Sequence, residues 1–270
     1  MKILIIGVSG FLGKSIYENL MNHYEVFGIS RGSLDLKNCF KVDLYNLKEL
    51  DHFFQKHDFD VIINLASKMA NENNLNDFSL LEDNLLMSKN LINVLNNKEF
   101  GYLINFSSSA VYPNISGLFD ENSEINTSVN SDCVYGLSKF NNEILFNYFL
   151  EDIRVVNLRV GYVYGDNMDK TRIHEIFENE LKEKNKITIW GNGKRSFPQI
   201  SLTSLSAILM DLVTKQPTGV YNVAEENISL LKLAKRYIKL KGNSKSEIVL
   251  LDKIKNNYAF KMKIDKINKL

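Results

Sequence analysis

Residues 1–20 read MKILIIGVSGFLGKSIYENL, where a fully apolar run leads directly into Gly7, Gly10 and Gly13. The run predicts a buried strand, and the residues after the glycines have apolar side chains at helical spacing. Glycines between a strand and a helix let the backbone approach a pyrophosphate, which the N–H groups at the helix start can bind. An ordinary tight turn also collects glycine, but the position between strand and helix favours a dinucleotide site.

The first half of the chain repeats this alternation of strand and helix patterns. Apolar runs predict strands at 2–7, 24–30, 60–66, 102–108 and 154–160, and helical spacing predicts helices at 11–22, 47–56, 80–97 and 135–150. Alternating strands and helices form a parallel sheet that is covered on both faces and joined by right-handed crossovers. The predicted fold class is therefore α/β, a doubly wound parallel sheet of the Rossmann type.

The pattern changes after Gly165. The sequence predicts a charged helix at 171–184, a strand–loop–strand segment at 187–201, a helix running from the N-cap Ser201 to Leu212, a strand at 219–226 and a helix capped by Ser229. The remaining segment, 241–270, is basic and only weakly patterned.

Composition and charge exclude several classes of partner. The 33 Lys and Arg residues balance 32 Asp and Glu residues to a net charge of +1, so we expect neither nucleic acid nor a membrane as a partner. The four histidines form no metal-binding pattern, and we expect no metal. Cys39 and Cys133 are far apart, and no apolar run is long enough to span a bilayer. We therefore expect a cytoplasmic protein with reduced thiols.

A tyrosine and a lysine form a candidate acid–base pair. In YGLSK, Tyr135 and Lys139 lie on one face of a predicted helix, so the phenol and the ammonium face the same cleft. A phenol with a pKa near ~10 is a poor acid–base group at neutral pH, and a nearby cation lowers that pKa. Taken alone, a tyrosine and a lysine at this spacing can also occur by chance on the surface of a helix, without an acid–base role. The segment FSSSAVYP, 106–113, stands at the carboxyl end of a predicted strand, where open α/β sheets bind ligands.

These motifs together resemble those of the extended short-chain dehydrogenase/reductase family, the sugar-nucleotide epimerases, dehydratases and reductases. The resemblance rests on GVSGFLG (7–13), FSSSAVYP and YGLSK, and it extends through LRVGYVYGDN (158–167), WGNGKRSF (190–197) and GVYNVAEENISLLKLA to about residue 240. It implies a dinucleotide-binding domain at 1–165, to which a strand and a helix near 198–225 return. It also implies a small C-terminal substrate-binding lobe built from 166–197 and 226–270.

The resemblance implies a nicotinamide dinucleotide cofactor. The residues that match its binding segments are Gly7, Ser9, Gly10, Phe11, Leu12, Gly13, Ser30, Arg31, Asp43, Leu44, Leu65, Ala66, Ser67, Asn84, Tyr135 and Lys139. Relatives that bind NAD carry a carboxylate after the second strand, whereas this chain has Ser30 and Arg31, which suit a 2′-phosphate. NADP(H) is therefore favoured, with NAD(H) as the alternative if Arg31 is merely a solvated surface residue.

The resemblance also implies residue roles. Ser108, Tyr135 and Lys139 match the catalytic set, and the expected substrate-binding residues are Ser108, Ser109, Tyr162 and Arg195, the last on the substrate diphosphate. The implied partner is a nucleotide sugar. A homodimer through the helices that carry Asn84 and Tyr135 is a further expectation.

The residues beside the catalytic hydroxyl bear on the reaction. Dehydratases carry Asp-Glu there, whereas this chain has Ser109 and Ala110, so we expect no dehydration. The GDP-fucose synthase-like reductases have a proton-transferring cysteine at the position of Ala110, and either His174 or Arg172 matches their partner histidine. The sequence thus predicts NADPH-dependent reduction of the C4 ketone of a nucleotide-linked sugar, in surface-polysaccharide sugar biosynthesis.

Two alternatives to this reaction stay open. One is a nucleotide-sugar 4-epimerase with tightly bound NAD, which needs the same three catalytic residues. The other is a catalytically silent NADP-sensing protein, which the intact Tyr135 and Lys139 disfavour because binding alone does not require that pair.

Overall fold

The computed structural model describes residues 1–71, 74, 75, 77–98, 100–150, 152–166, 168–251 and 258–270. Its strands are β1 (Lys2–Ile6), β2 (Glu25–Ser30), β3 (Cys39–Lys41), β4 (Val61–Asn64), β5 (Tyr102–Ser108), β6 (Gly117–Phe119), β7 (Arg154–Val160), β8 (Tyr162–Tyr164), β9 (Lys186–Trp190), β10 (Ser196–Ser201), β11 (Gly219–Val223), β12 (Glu226–Ser229), β13 (Glu247–Leu251) and β14 (Phe260–Met262). Its α-helices are α1 (Phe11–Leu20), α2 (Leu47–Lys56), α3 (Ser79–Leu95), α4 (Cys133–Phe149), α5 (Ile173–Lys184), α6 (Leu202–Lys215) and α7 (Leu230–Lys241).

Seven strands pair in parallel to form the main sheet, in the order β11-β7-β5-β4-β1-β2-β3. This confirms the predicted α/β fold with a large parallel sheet. The chain begins in the middle at β1, moves outward to β3, and then returns to the other side of β1 at β4. In such a sheet, the crevice at the carboxyl ends of the strands where the order reverses is the expected ligand site.

Apolar cores cover both faces of the sheet. On one face β1 and β5 pack against α1 and α6 through side chains that include Ile16, Leu205 and Leu209. On the other face they pack against α2 and α3 through side chains that include Phe53 and Leu91. Burial on both faces explains why these strands are apolar at nearly every position rather than at alternate ones.

Three buried asparagines interrupt this apolar pattern. The Asn64 side-chain amide on β4 donates to Asn105 Oδ1 on β5 at 3.2 Å, and the Asn105 amide donates to Asn157 Oδ1 on β7 at 2.7 Å. The Asn157 amide donates in turn to Asn147 Oδ1 on α4 at 3.1 Å. Because a buried amide without partners is costly, this row of bonds favours one register of the three strands over its neighbours.

Smaller sheets continue from the carboxyl end of β7. Strands β12, β10 and β8 form one of them, β13 pairs with β9, and β14 pairs with β6. Because β8 follows β7 after Gly161 alone, these elements stand beside the ligand edge of the main sheet. The division of the chain into a cofactor domain and a substrate lobe stays a prediction.

The structure departs from the sequence-based elements in a few places. Helix α4 begins at Cys133, two residues before its predicted start, so Tyr135 lies in its first turn. Strand β3 was not predicted, and the weakly patterned segment after residue 241 contains β13 and β14. These short strands are stabilised by partners distant in sequence, which a local pattern does not record. No helix in the described part of the chain is long and apolar enough to cross a membrane.

Candidate active site

One cavity of about 1120 Å³ runs along the carboxyl edge of the main sheet and into the smaller sheets. Of the residues assigned by sequence to the cofactor, the substrate or catalysis, all but Asn84 line this cavity. These are Gly7, Ser9, Gly10, Phe11, Leu12, Gly13, Ser30, Arg31, Asp43, Leu44, Leu65, Ala66, Ser67, Ser108, Ser109, Tyr135, Lys139, Tyr162 and Arg195. Motifs scattered over the whole chain therefore meet at a single site.

The glycine loop connects β1 to α1, and neither Gly7 nor Gly13 could carry a side chain without strain. Gly7 has a φ of +90°, which residues with a Cβ rarely adopt. A Cβ on Gly13 would lie 2.3 Å from Gly7 O and 2.6 Å from Val8 Cα, so α1 packs directly on the loop. A Cβ on Gly10 would meet only Gly7 O, at 3.4 Å, and would otherwise project into the cavity. The space over Gly10, at the start of α1, fits a dinucleotide pyrophosphate.

The end of β2 shows what is available to an adenosine ribose. The Ser30 hydroxyl already donates to Gly32 O at 2.7 Å, so Ser30 can offer a ligand only an acceptor. The Arg31 guanidinium lies 5.8 Å from the centre of the Tyr45 ring and is exposed. Asp43 Oδ1 accepts from Tyr45 N at 3.0 Å, which holds the Tyr45 segment beside the cavity.

Asn84 does not line the cavity, which corrects its assignment as a cofactor-binding residue. Its carbonyl oxygen accepts from Lys68 N at 2.7 Å and from Ser67 Oγ at 3.2 Å. Its amide donates to Lys68 O and Ser138 Oγ, each at 3.1 Å. With its polar atoms engaged in this way, Asn84 holds the loop after β4 to α4 and acts on the site through that loop.

Ser108 and Tyr135 face each other across the cavity. Ser108 ends β5, and its hydroxyl also accepts from Ala110 N at 3.1 Å. The side chains of Ser67 and Ser108 lie near the phenol of Tyr135 and act to lower its pKa. Helix α4 approaches this closely because Gly136 has no side chain: a Cβ there would lie 2.2 Å from Ala110 O.

Lys139 lies one turn further along α4, and only 3% of its surface is exposed. Its ammonium donates to Phe106 O at 2.7 Å and lies 5.9 Å from the centre of the Tyr135 ring. Burial lowers the pKa of Lys139 to about 8, and the charge of Glu143 opposes this shift only in part.

The pKa of Tyr135 shifts against the sequence-based expectation. Burial raises it to about 12, although the side chains of Ser67 and Ser108 act to lower it. The expectation that Lys139 gives Tyr135 a lowered pKa is therefore wrong for the protein by itself. The loss of water around the phenol raises its pKa by more than the nearby polar groups lower it.

A buried ion pair stands behind the site, and sequence reasoning missed it. Glu143 on α4 and Arg159 on β7 meet at 2.8 Å with their side chains 4% and 5% exposed. Glu143 also accepts from Ser107 Oγ, and Arg159 donates to Tyr112 Oη at 2.9 Å. The pair fixes α4 against β5 and β7, and one partner alone would be an uncompensated buried charge.

The far end of the cavity is aromatic and cationic. The Arg172 guanidinium lies 5.4 Å from the centre of the Tyr162 ring, and that of Arg195 lies 5.5 Å from the Tyr258 ring. Arg172 lines the cavity, whereas His174 is buried outside it between Tyr237 Oη and Gln199 Oε1. Arg172 rather than His174 thus reaches the site. Asn167, which ends the motif at 158–167, lies outside the described residues.

The structure also places Asp132 on the cavity wall, next to Tyr135. No motif in the sequence points to Asp132, and an Asp directly before a helix is ordinarily an N-cap. Within the described ranges, no group of three or more His, Cys, Asp or Glu side chains could hold a metal ion.

Comparison with known proteins identifies the family. A model of the NAD dependent epimerase/dehydratase family matches residues 3–224. The chain belongs to this family. This confirms the resemblance on which the residue assignments rest.

Individual relatives within the family carry out different reactions. The chain is 25% identical to a dTDP-D-glucose 4,6-dehydratase of Dictyostelium discoideum, in an alignment that covers 88% of this chain and 62% of that protein. A Bacillus cereus UDP-glucuronic acid 4-epimerase, solved with UDP-glucuronic acid and NAD, superimposes with a TM-score of 0.82 at 21% identity. That match covers 100% of this chain and 92% of the epimerase.

A third relative is a hypothetical dTDP-4-dehydrorhamnose reductase from Sulfolobus tokodaii, which superimposes with a TM-score of 0.81 at 23% identity. That match covers 100% of this chain and 94% of the reductase. At these identities the structural matches establish the fold. The Dictyostelium alignment spans less than two thirds of that relative.

Proposed function

We propose that this protein reduces the C4 ketone of a nucleotide-linked sugar with a nicotinamide dinucleotide. The observation that carries the proposal is that Ser108, Tyr135 and Lys139 line one cavity together with the glycine loop. With a pKa of about 12, the phenol holds its proton at neutral pH and faces Ser108 in the cavity. Reduction of a ketone requires a proton donor at the oxygen, whereas oxidation of an alcohol requires a base.

Different residues along the cavity have different roles in the proposed reaction. The bound dinucleotide supplies the hydride. The Gly7–Gly13 loop binds its pyrophosphate, Ser108 donates a hydrogen bond to the ketone oxygen, and Tyr135 gives that oxygen its proton. Lys139 faces the nicotinamide ribose and supports the phenolate that remains. Arg195 and Arg172, at the far end, would hold the substrate diphosphate by charge-assisted hydrogen bonds.

For the cofactor, we propose NADP(H). The end of β2 carries no carboxylate to repel a 2′-phosphate, and the exposed Arg31 stands at the cavity with the Tyr45 ring beneath it. The Bacillus cereus relative was solved with NAD, so NAD(H) is the competing choice. The ratio of kcat/KM for NADPH to that for NADH decides the matter. A preference for NADH, unchanged in Arg31→Ala, would refute this assignment.

The alternative function is 4-epimerisation with retained NAD, which the likeness to a 4-epimerase favours. The two functions are separable by experiment. An epimerase interconverts C4 epimers without added cofactor, whereas a reductase consumes reduced cofactor in proportion to the ketone supplied.

The test is to incubate the protein with NADPH or NADH and 4-keto-6-deoxy sugars linked to GDP, dTDP, UDP and CDP. We expect oxidation of the cofactor with at least one of them. Tyr135→Phe should lower turnover by about 100-fold or more while dinucleotide affinity stays nearly unchanged. The matched control is Tyr148→Phe, the same change at an exposed position of α4, which should have no effect. No cofactor consumption with any ketone would contradict the proposal.

A further inference from the structure

One carboxylate in the cavity makes no hydrogen bond that stabilises the described fold. Among the described residues, the carboxylates on the cavity wall are those of Asp43, Asp132, Asp169 and Glu180. Asp43 accepts from Tyr45 N, Asp169 from Thr171, and Glu180 from Thr188 N. Asp132 is the N-cap of α4, yet its side chain makes no capping hydrogen bond. An N-cap Asp usually accepts a hydrogen bond from an N–H of the first turn, and this carboxylate does not make that stabilising bond.

Local structure fixes the backbone of Asp132 although its side chain is unattached. Asp132 N donates to Asn130 Oδ1 at 2.9 Å, and Asp132 O accepts from Gly136 N at 2.8 Å. Asn130 donates in turn to Tyr112 O at 2.9 Å, next to the turn that follows Ser108. The position of Asp132 relative to the catalytic hydroxyl is therefore rigid.

Asp132 and Tyr135 stand at the N-cap and third positions of α4, which lie on one face of a helix. Both side chains line the same cavity, and the negative charge of Asp132 acts to raise the pKa of Tyr135. Since Tyr135 and Ser108 are the groups that would hold the C4 oxygen, a carboxylate on this wall can reach a carbon bonded to C4.

The surroundings of Asp132 suit a carboxyl group that exchanges protons. Burial raises the pKa of Asp132, while the charges of Arg172 and Arg195 act to lower it. A substrate diphosphate bound to these arginines would cancel part of their charge. The proton affinity of Asp132 would then rise when substrate binds, toward the range in which a general base is effective.

We propose that Asp132 is an acid–base residue that removes and returns the proton on the sugar carbon next to the C4 ketone. This inference rests on the proposed function, because only a carbon beside a carbonyl has so acidic a C–H bond. The carboxylate takes the proton, and the C–H electron pair forms the double bond of an enolate. The enolate oxygen receives hydrogen bonds from Tyr135 and Ser108. Return of the proton restores the ketone, with no oxidation or reduction.

The experiment measures deuterium uptake from D₂O into 4-keto-6-deoxy nucleotide sugars, with NADP⁺ present so that no hydride can be delivered. Mass spectrometry gives the rate, and NMR gives the carbon that is labelled. We expect the wild-type protein to label a carbon adjacent to C4 far faster than an enzyme-free sample. Asp132→Asn should slow labelling by about 100-fold or more. Asp132→Glu, which keeps a carboxylate, should restore part of the rate.

Reduction of the same ketones by NADPH is measured in parallel, so the two proposals fail separately. Asp132→Asn should slow labelling at least about tenfold more than it slows reduction. The control is Asp35→Asn, the same change at an exposed position outside the cavity lining, which should retain both activities. No labelling by the wild type above the enzyme-free sample overturns the role of Asp132, whether or not reduction occurs. Equal loss of labelling and reduction in Asp132→Asn also overturns it, because that is the result for a residue that only binds a sugar hydroxyl.

Discussion

Replacing Lys139 with methionine should remove activity and at the same time stabilise the fold. The ammonium is 3% exposed, and the fall of its pKa from 10.5 to about 8 measures how much burial disfavours the charge. A fall of that size corresponds to about 3 kcal/mol. The one hydrogen bond from Lys139, to Phe106 O, returns about 1 kcal/mol. Methionine fills similar space without charge, so Lys139→Met should gain about 2 kcal/mol at pH 7, or roughly 4–8 °C in Tm.

The gain should depend on pH in a defined direction. Below pH 8 the lysine is charged in both the folded and the unfolded protein, and the burial cost is fully present. Between pH 8 and 10.5 the folded protein loses the proton first, so wild-type stability rises with pH. Integration between pH 7 and 9.5 gives about 2 kcal/mol, by which the advantage of Lys139→Met should shrink.

Urea unfolding at both pH values, without nucleotide, measures the two free energies. Lys89→Met, at an exposed position of α3, controls for the loss of one positive charge. The reasoning is refuted if Lys139→Met is less stable than wild type at pH 7, or if its advantage is the same at both pH values. The first outcome would mean that the ammonium stabilises the empty site; the second, that its burial does not govern its titration.

Three further predictions follow from packing and exposure. Gly13→Ala should lower the free energy of unfolding by about 1–3 kcal/mol and weaken dinucleotide binding more than tenfold, because its Cβ would lie 2.3 Å from Gly7 O. A calorimetric titration that finds wild-type affinity for the dinucleotide would contradict this. Asn84→Ala should lower the free energy of unfolding in urea by about 1–3 kcal/mol, since it leaves part-buried partners such as Lys68 N without this hydrogen bond, and equal stability would count against its structural role. We also expect a homodimer through α3 and α4, and Ile144→Lys should make it monomeric by light scattering because Ile144 is 48% exposed on α4; a monomeric wild type would end that proposal.

The sequence predicted the main sheet well because its central strands are apolar at most of their positions. Residues 2–7 and 102–108 are rich enough in apolar side chains to require burial, whatever their neighbours are. Glycines spaced as they are after β1 have few roles other than a loop that binds a dinucleotide. The candidate site was predictable for the same reason. The part of the site that is lined by backbone atoms comes from short motifs of consecutive residues. Each motif determines its own local backbone conformation.

The remainder depends on contacts that no local pattern contains. Strand β14 exists because it pairs with β6, and the pairing of Glu143 with Arg159 joins a helix to a strand that follows it. The pKa of Tyr135 could not be predicted, since loss of solvent reverses the direction that its neighbours suggest. Asp132 was overlooked because it belongs to no motif and the helix was predicted to begin only at residue 135, whereas α4 begins at Cys133.

The pairing of β14 with β6 has a consequence for how the protein is made. Tyr258 and Phe260 line the cavity beside Arg195, yet a ribosome synthesises them long after Tyr135 and the glycine loop. This wall of the cavity can therefore form only after translation has passed Phe260. A polypeptide terminated before that residue would contain the glycine loop, Ser108 and Tyr135 but would lack the side chains that close the cavity beside Arg195.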